Sequence, residues 1–386
     1  MSIAPRLKLC ADIAEVSARQ WDVCAPAHDN PFLSHAFLHA LEASGSVAPS
    51  TGWLPRHLTA VDDKDNLLGC MPLYLKAHSQ GEYVFDHEWA YAFERAGGRY
   101  YPKLQACVPF TPVTGPRILA RDRGVETLLL KGATQMCEQM QCSSLHFSFL
   151  EEKQWDHLGA HGLLLRQGQQ FHWRNAGYQS FDDFLESLSA RKRGNIRRER
   201  AGVAAAGVEI EWLRGEDITP ADWDDFYRFY LDTAARKWNH AYLTRDFFER
   251  IASMGPSVLL IAARRGGRMI AATLNFLGAD TFFGRYWGCS ERVSGLHFEL
   301  CYYQAISFAI CHSLANVEAG AQGMHKLARG YLPVRTFSAH YIVDERLRVA
   351  VRDYLAFEGE VIDDEIALLA SHSPFRHTDT KQEEAS

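Results

Sequence analysis

The sequence predicts an α+β protein built from two domains of similar size, with mixed, mostly antiparallel sheets. Three observations carry this expectation. At 386 residues the chain is longer than one small core would fill. Each half holds two apolar strand-like runs joined by a tight turn, Asp63-Lys64-Asp65-Asn66 in one and Arg265-Gly266-Gly267-Arg268 in the other, which is the pattern of antiparallel pairing. Each half then continues with a helix and further strands, a weak internal duplication at roughly half the chain length.

In the first half, 13–25 and 32–44 read as helices, the second entered through Asn30-Pro31 and ended by Gly45. Strands follow at 57–62 and 67–75, and a short one at 83–85. Asp86 is placed to cap a helix over 87–96, with Gly97-Gly98 as its stop. The prolines within 108–118 specify an irregular extended segment or an edge strand. A helix over 124–141, a strand over 144–149, a short helix over 154–161 and a strand over 169–175 complete this half. The second half reads as a helix over 181–206, a strand over 208–213 and helices over 220–237 and 245–252. Strands at 258–264, 269–277 and 281–287 lead into a long amphipathic helix over 295–315. A strand over 317–322, a loop closed by Gly330 and Pro333, and a strand over 334–343 follow. The domains are set at 1–174 and 175–373, with 374–386, rich in polar residues, as a disordered tail.

Composition excludes several classes of function. A hydrophobic content of 47% and a charged content of 23% are those of an ordinary globular protein. The net charge of -6 gives no general attraction to nucleic acid or membrane. No apolar run is long enough to span a bilayer, and the N-terminus lacks a signal-peptide pattern. Nine scattered cysteines without a CxxC point to reduced thiols in a cytoplasmic protein. There is no GxxxxGK[ST], no GxGxxG after a strand, no GxSxG, no HExxH and no repeated metal-ligand spacing. Nucleotide hydrolysis, hydride transfer, serine hydrolysis and a metal site lose weight accordingly.

Three segments offer chemistry. In the strand over 317–322, Glu318, Gly320 and Gln322 share one face, and the loop beyond delivers His325, Lys326 and Arg329. An acid, an imidazole and two cations there suit an anionic or carbonyl-bearing substrate; the plainer reading is a solvated connection. Residues 191–200 carry six cations against one acid, with Arg193, Arg197 and Arg200 on one helical face. That face suits phosphates or an RNA backbone, and the competing reading is a solvated helix surface. Around the run Gly284-Arg285-Tyr286-Trp287-Gly288, Glu299 shares a helical face with Tyr302 and Tyr303, making it a base candidate against the commoner buried polar cluster. Tyr100, Tyr101 and Lys103 are candidates for lining a cleft or for packing.

The segments HSQGEYVFDHEWA, LSARKRGNIRRERAGV, GRYWG, LHFELCYYQAI and VEAGAQGMHKLARGYLP, in this order, resemble the FemAB-like predicted N-acyltransferases of the GNAT superfamily, with the likeness extending over about 31–370. More distantly the chain resembles the Fem-type aminoacyl and peptidyl transferases. That resemblance implies tandem GNAT-like domains, with Lys326 and Gly330 matching the lysine and glycine of a Phe-Lys-x-Gly-Phe-Gly-like loop. His325 stands where that loop has an aromatic residue. The Arg/Gln-x-x-Gly-x-Gly/Ala pyrophosphate loop of acetyl-CoA enzymes is absent from 289–296, so acetyl-CoA itself is not implied.

The expected function is transfer of an acyl or aminoacyl group from acyl-CoA or aminoacyl-tRNA to an amine of a small molecule or peptide, with no resident cofactor and no DNA partner. Glu318, Glu299 and His325 are the base candidates. Lys326, Arg329, Arg285, Tyr286 and Tyr303 are candidates for substrate binding, and Arg193, Arg197 and Arg200 for the donor phosphates or tRNA. The alternative is a catalytically silent protein that uses the same cleft for a ligand or peptide.

Overall fold

A computed structural model describes residues 5–25, 30–237, 240–320 and 323–376. Its first half comprises β1 (Arg6–Cys10), α1 (Ala18–Cys24), α2 (His35–Ala43), β2 (Trp53–Pro55), β3 (His57–Val61), β4 (Leu67–Met71), β5 (Leu73–Lys76) and α3 (His87–Arg95). It continues with β6 (Lys103–Ala106), β7 (Leu119–Ala120), α4 (Arg123–Gln139), β8 (Ser144–Leu150), α5 (Glu152–Ala160) and β9 (Leu164–Arg174). The second half opens with α6 (Phe181–Ser187), α7 (Ala190–Ala205), β10 (Glu209–Arg214), α8 (Pro220–Lys237), α9 (Arg245–Ile251), β11 (Val258–Arg265) and β12 (Arg268–Leu277). It ends with β13 (Thr281–Cys289), α10 (Leu296–Phe298), α11 (Gln304–Cys311), β14 (Asn316–Glu318), β15 (Leu332–Ile342) and α12 (Glu345–Ser371).

Local chemistry accounts for the boundaries. Pro31 opens the turn before α2, and the Ser34 hydroxyl accepts from Phe37 N to cap it. The expected strand over 67–75 is broken by Pro72, which cannot donate to a ladder. It sends β4 into a four-stranded sheet ordered β1-β3-β4-β7 and β5 into an eleven-stranded one. The expected strand at 83–85 is absent: Tyr83 adopts a left-handed φ of 59° and the segment is a loop. The helix expected over 181–206 breaks at Leu188-Ser189. The helix expected over 295–315 ends at Cys311 and contains a π segment, Glu299–Tyr303. Of the strand expected over 317–322 only β14 forms; residues 321–322 lie outside the described ones. The 27-residue α12, capped by Asp344, has no counterpart among the expected elements.

The large sheet runs β10-β11-β12-β13-β14-β9-β15-β8-β6-β5-β2. Among the described residues, only β13–β14 and β6–β8 pair in parallel. Each half therefore holds the same motif: an antiparallel strand, a parallel pair joined by a crossover, and a closing antiparallel strand. The closing strands are exchanged. β9 follows β8 in the chain but closes on β14, and β15 follows β14 but closes on β8. The two exchanged strands pair with each other from Leu332↔His172 to His340↔Leu164 and form the centre of the sheet.

Pairing thus does not divide at residue 174, where the sequence places its boundary. α12 packs on β9, β15 and α3, with Leu347, Val351 and Leu355 buried against Trp89 and Ile342. A second shared core lies on the other side: Phe32, before α2, sits 4.8 Å from Phe276 and 5.2 Å from Phe283, and Phe37 sits 5.8 Å from Phe247. Residues 374–376, assigned to the tail, form a bridge through Leu188 and Phe375; the rest of the expected tail, 377–386, lies outside the described residues.

Candidate active site

β13 and β14 pair only as far as Phe283↔Glu318, where β14 ends and β13 continues alone to Cys289. On its other edge the register of β13 against β12 slips between Leu274↔Tyr286 and Asn275↔Gly284, leaving Arg285 as the extra residue of a bulge. A cleft of about 600 Å³ opens where the parallel strands part. Its walls come from both halves: Ser79, Gly81, Tyr83 and Phe110 from one, and Tyr230, Asn275, Arg285 and Tyr302 from the other. Phe110 and Tyr242 stack across the cleft at 4.9 Å and 15°.

The first-half wall is held from behind. The fully buried Lys103 ammonium donates to Ser79 Oγ at 2.8 Å, to Glu82 Oε2 at 2.7 Å and to Asp86. Asp86 therefore does not cap α3 with its side chain, which is the structural correction to its expected role. Tyr100, fully buried, donates to Asp86 and lies behind the wall rather than in the cleft. Burial pushes the Glu82 carboxyl up to about 7 despite the nearby Lys103 charge, and pulls the neighbouring Lys76 ammonium down to about 7.

The second-half wall gathers several sequence candidates. Arg285 lies under the cleft floor between Phe32 and Phe283, its guanidinium carbon 4.7 and 5.2 Å from their ring centroids. It donates to Gly284 O and, at 3.4 Å, to Glu318 Oε2, while its buried Nε has no partner. Burial lowers its pKa, and the Glu318 charge works against that shift. Glu318 also faces His172 Nε2 at 4.0 Å. Tyr286 lines the cleft and donates to Phe110 O at 2.9 Å, tying the two halves together. His325 is exposed at the cleft, with Nε2 2.8 Å from the Tyr302 hydroxyl, and burial together with the Arg329 and Lys326 charges lowers its pKa. Lys326 is 1% exposed and donates to Gly320 O at 2.8 Å, so its charge sits just behind the wall. Burial pulls it down to about 7.

The remaining candidates lie elsewhere or are already engaged. Glu299, in the π segment, accepts from Arg200 Nε at 3.2 Å and from Gln304 at 2.8 Å, and faces α7 rather than the cleft. Arg329 donates to both oxygens of Glu199, to the Tyr303 hydroxyl and to His325 O, and Tyr303 in turn donates to Glu199. On α7, Arg200 is taken by Glu299, Arg197 pairs with Asp182 at 3.3 Å, and Arg193 donates to Leu188 O. Among the described residues, the cations of α7 that meet no carboxylate are Arg191, Lys192, Arg193 and Arg198. The cleft is also lined by Tyr83, Phe110, Tyr230, Lys237, Asn275 and His297, none of them among the expected site residues; Tyr230 and Lys237 share α8 and the others come from four further segments, so no local motif marks them. Among the described residues, no group of three or more His, Cys, Asp or Glu side chains could hold a metal ion, and no helix is long and apolar enough to cross a membrane.

Two copies of one strand motif, with the splayed parallel pair of the second opening onto a cleft shared by both halves, make up a tandem GNAT-like α+β fold. A family model described as FemAB-like, peptidoglycan biosynthesis/recognition, matches residues 12–377, and the chain belongs to that family. The fold is similar to that of FemX, with a TM-score of 0.53 and 11% identity over 87% of this chain and 98% of that one. It is also similar to the C-terminal domain of a putative lysylphosphatidylglycerol synthetase from Agrobacterium fabrum, with a TM-score of 0.51 and 10% identity over 89% and 96%. L-PGS from Bacillus licheniformis gives a TM-score of 0.50 and 9% identity over 83% and 96%. A search of curated proteins finds no significant match.

Proposed function

We propose that the protein is a cytoplasmic N-acyltransferase that moves an acyl or aminoacyl group from acyl-CoA or aminoacyl-tRNA to an amine of a small molecule or peptide. The observation that carries this is the cleft itself. It lies where β13 and β14 part, so unpaired strand backbone, the bulged Arg285 and the His325–Tyr302 pair converge on one space. In the reaction the amine attacks the donor carbonyl, a C–N bond forms, and the thiolate or ribose oxygen leaves. The Arg285 guanidinium and unpaired amides of β13 stabilise the charge that grows on the carbonyl oxygen. His325, with its pKa held below the ordinary value, is neutral at pH 7 and is the base candidate with direct access to the cleft; Glu318, paired with Arg285, is the second candidate. Lys326 holds the Gly320 carbonyl and adds positive charge behind the reacting centre. The outer face of α7 is the part of the molecule offered to donor phosphates or tRNA.

The test is consumption of acyl-CoA and charged-tRNA pools, followed by mass spectrometry as loss of thioester or ester. The parent protein should consume one donor class, and Lys326→Ala should lower the rate about ten-fold or more with an unchanged circular dichroism spectrum. Equal turnover in the two proteins refutes the role given to Lys326. No consumption by either supports the silent binding protein instead.

A further inference from the structure

The charge of the cleft is one-sided. Its described lining includes Lys237, Arg285, His87, His297 and His325, and no aspartate or glutamate. The imbalance is greatest where the C-terminal end of α8 meets the loop after β14. There Lys237 ends its helix, the His297 and His325 rings lie 6.3 Å apart, and Lys326 and Arg329 stand behind them. Arg329 is matched by Glu199 and Arg285 by Glu318. Lys237 and Lys326 meet no carboxylate among the described residues. His297 is held by its ring alone, edge-on to Trp287 at 5.2 Å and to Tyr302 at 5.7 Å, and its nitrogens make no hydrogen bond among the described residues. An imidazole with open nitrogens, facing a cleft between unmatched cations, is arranged to meet an anion.

We propose that this end of the cleft is an oxyanion subsite, in which Lys237 and His297 hold a phosphate or carboxylate carried by the substrate, beside the His325 base. The subsite rests on the transferase reading for where the rest of the substrate lies, and on the local geometry alone for what it binds. It also sets a selectivity, since a ligand with a permanent ammonium at this end meets only like charge.

The protonation states follow. Burial, with the charges of Lys237, His325, Arg329 and Lys326, pulls His297 down to about 4, and His325 is lowered by burial and the same loop cations. The other groups facing them are Arg285 from β13, Cys301 and Tyr302 from their own helical segment, and His87 from α3. Both histidines are therefore neutral at pH 7 in the free protein. An anion bound between Lys237 and His297 offsets the repulsion and raises the His297 pKa, so binding takes up a proton and affinity rises as pH falls.

Sulfate is the probe, because its charge is constant over the range used. Calorimetry on the full chain should give an affinity about five-fold tighter at about pH 5.5 than at about pH 7.5. His297→Gln should remove most of that difference. Lys237→Met, at an exposed helix end where folding is unaffected, should weaken sulfate about five-fold at both pH values. Displacement of sulfate by coenzyme A identifies phosphate as the natural group, and displacement by glutarate identifies carboxylate. Absent binding, equal affinity at the two pH values, indifference to both variants, or displacement by neither competitor overturns the subsite. Donor consumption is measured separately: transfer without pH-dependent sulfate binding removes the subsite alone, and sulfate binding without transfer removes the enzymatic reading alone.

Discussion

At the scale of single residues, Arg329 shows how a site candidate becomes a structural one. A cation three positions after Lys326 invites a substrate role, yet its donors are committed. Nη2 reaches Glu199 Oε1 at 3.0 Å and Oε2 at 2.9 Å, Nε reaches Tyr303 at 2.9 Å, and the guanidinium lies 3.5 Å from the Phe298 ring centroid. The residue thereby pins the loop that carries His325 to α7 and to the helical segment beneath it. Arg329→Ala removes the forked cation from Glu199, leaving that carboxylate only the Tyr303 hydroxyl, and should lower unfolding stability by about 2–4 kcal/mol, read from urea midpoints. Arg329→Lys should recover little of this, because an ammonium cannot make the forked contact. An alanine variant as stable as the parent would return Arg329 to the list of substrate contacts. The residues flanking it were legible for a simple reason: His325 and Lys326 are polar groups clustered in a loop between strands. His297 and Lys237 were not, since they lie on different helices far apart in the chain and only the fold brings them to one place.

At the scale of elements, the decisive contacts are those where backbones approach. α8 lies against β13 at Gly288, where an added Cβ would come within 2.5 Å of the Phe229 backbone. The strand expected over 281–287 continues to Cys289, and Gly288 within it lets a helix rest on the strand. Gly288→Ala must push α8 away from β13 and should cost about 1–3 kcal/mol in urea unfolding. The same change should also widen the cleft wall, because Tyr230 and Lys237 sit on α8. An unchanged midpoint would show that α8 yields freely. Elements with a regular apolar period and clear caps, such as α4 and α8, were legible. The π segment was not, because its extra residue changes no composition. α12 carried a readable signal in Asp344 and in the spacing of Leu347, Val351 and Leu355, but exposed Phe357, Val361 and Leu368 on its other faces obscured the stripe.

At the scale of the whole molecule, the strand exchange decides how the halves depend on each other. The halving of the sequence is visible in its repeated order of elements, and the α+β class follows from it. Partner choice is not visible, because β15 pairs with β8 across about half of the chain and an isolated strand reads the same whichever edge it joins. The exchange leaves neither half complete. A chain of residues 1–174 would lose β15 from the edge of β8 and α12 from the face of β9. It would also expose Phe32 and Phe37, which pack on Phe276, Phe283 and Phe247. An open, apolar edge and an uncovered aromatic face together favour aggregation over folding. Residues 1–174 expressed alone should therefore be insoluble or lack near-ultraviolet dichroism, and co-expression with 175–386 should yield a folded complex. The intact chain should unfold in urea as one transition, with coincident fluorescence and far-ultraviolet curves. A well-folded monomer of 1–174, or two separated transitions, would show that each half closes its own sheet without the other, and the cleft between them would then be free to change shape as the halves move.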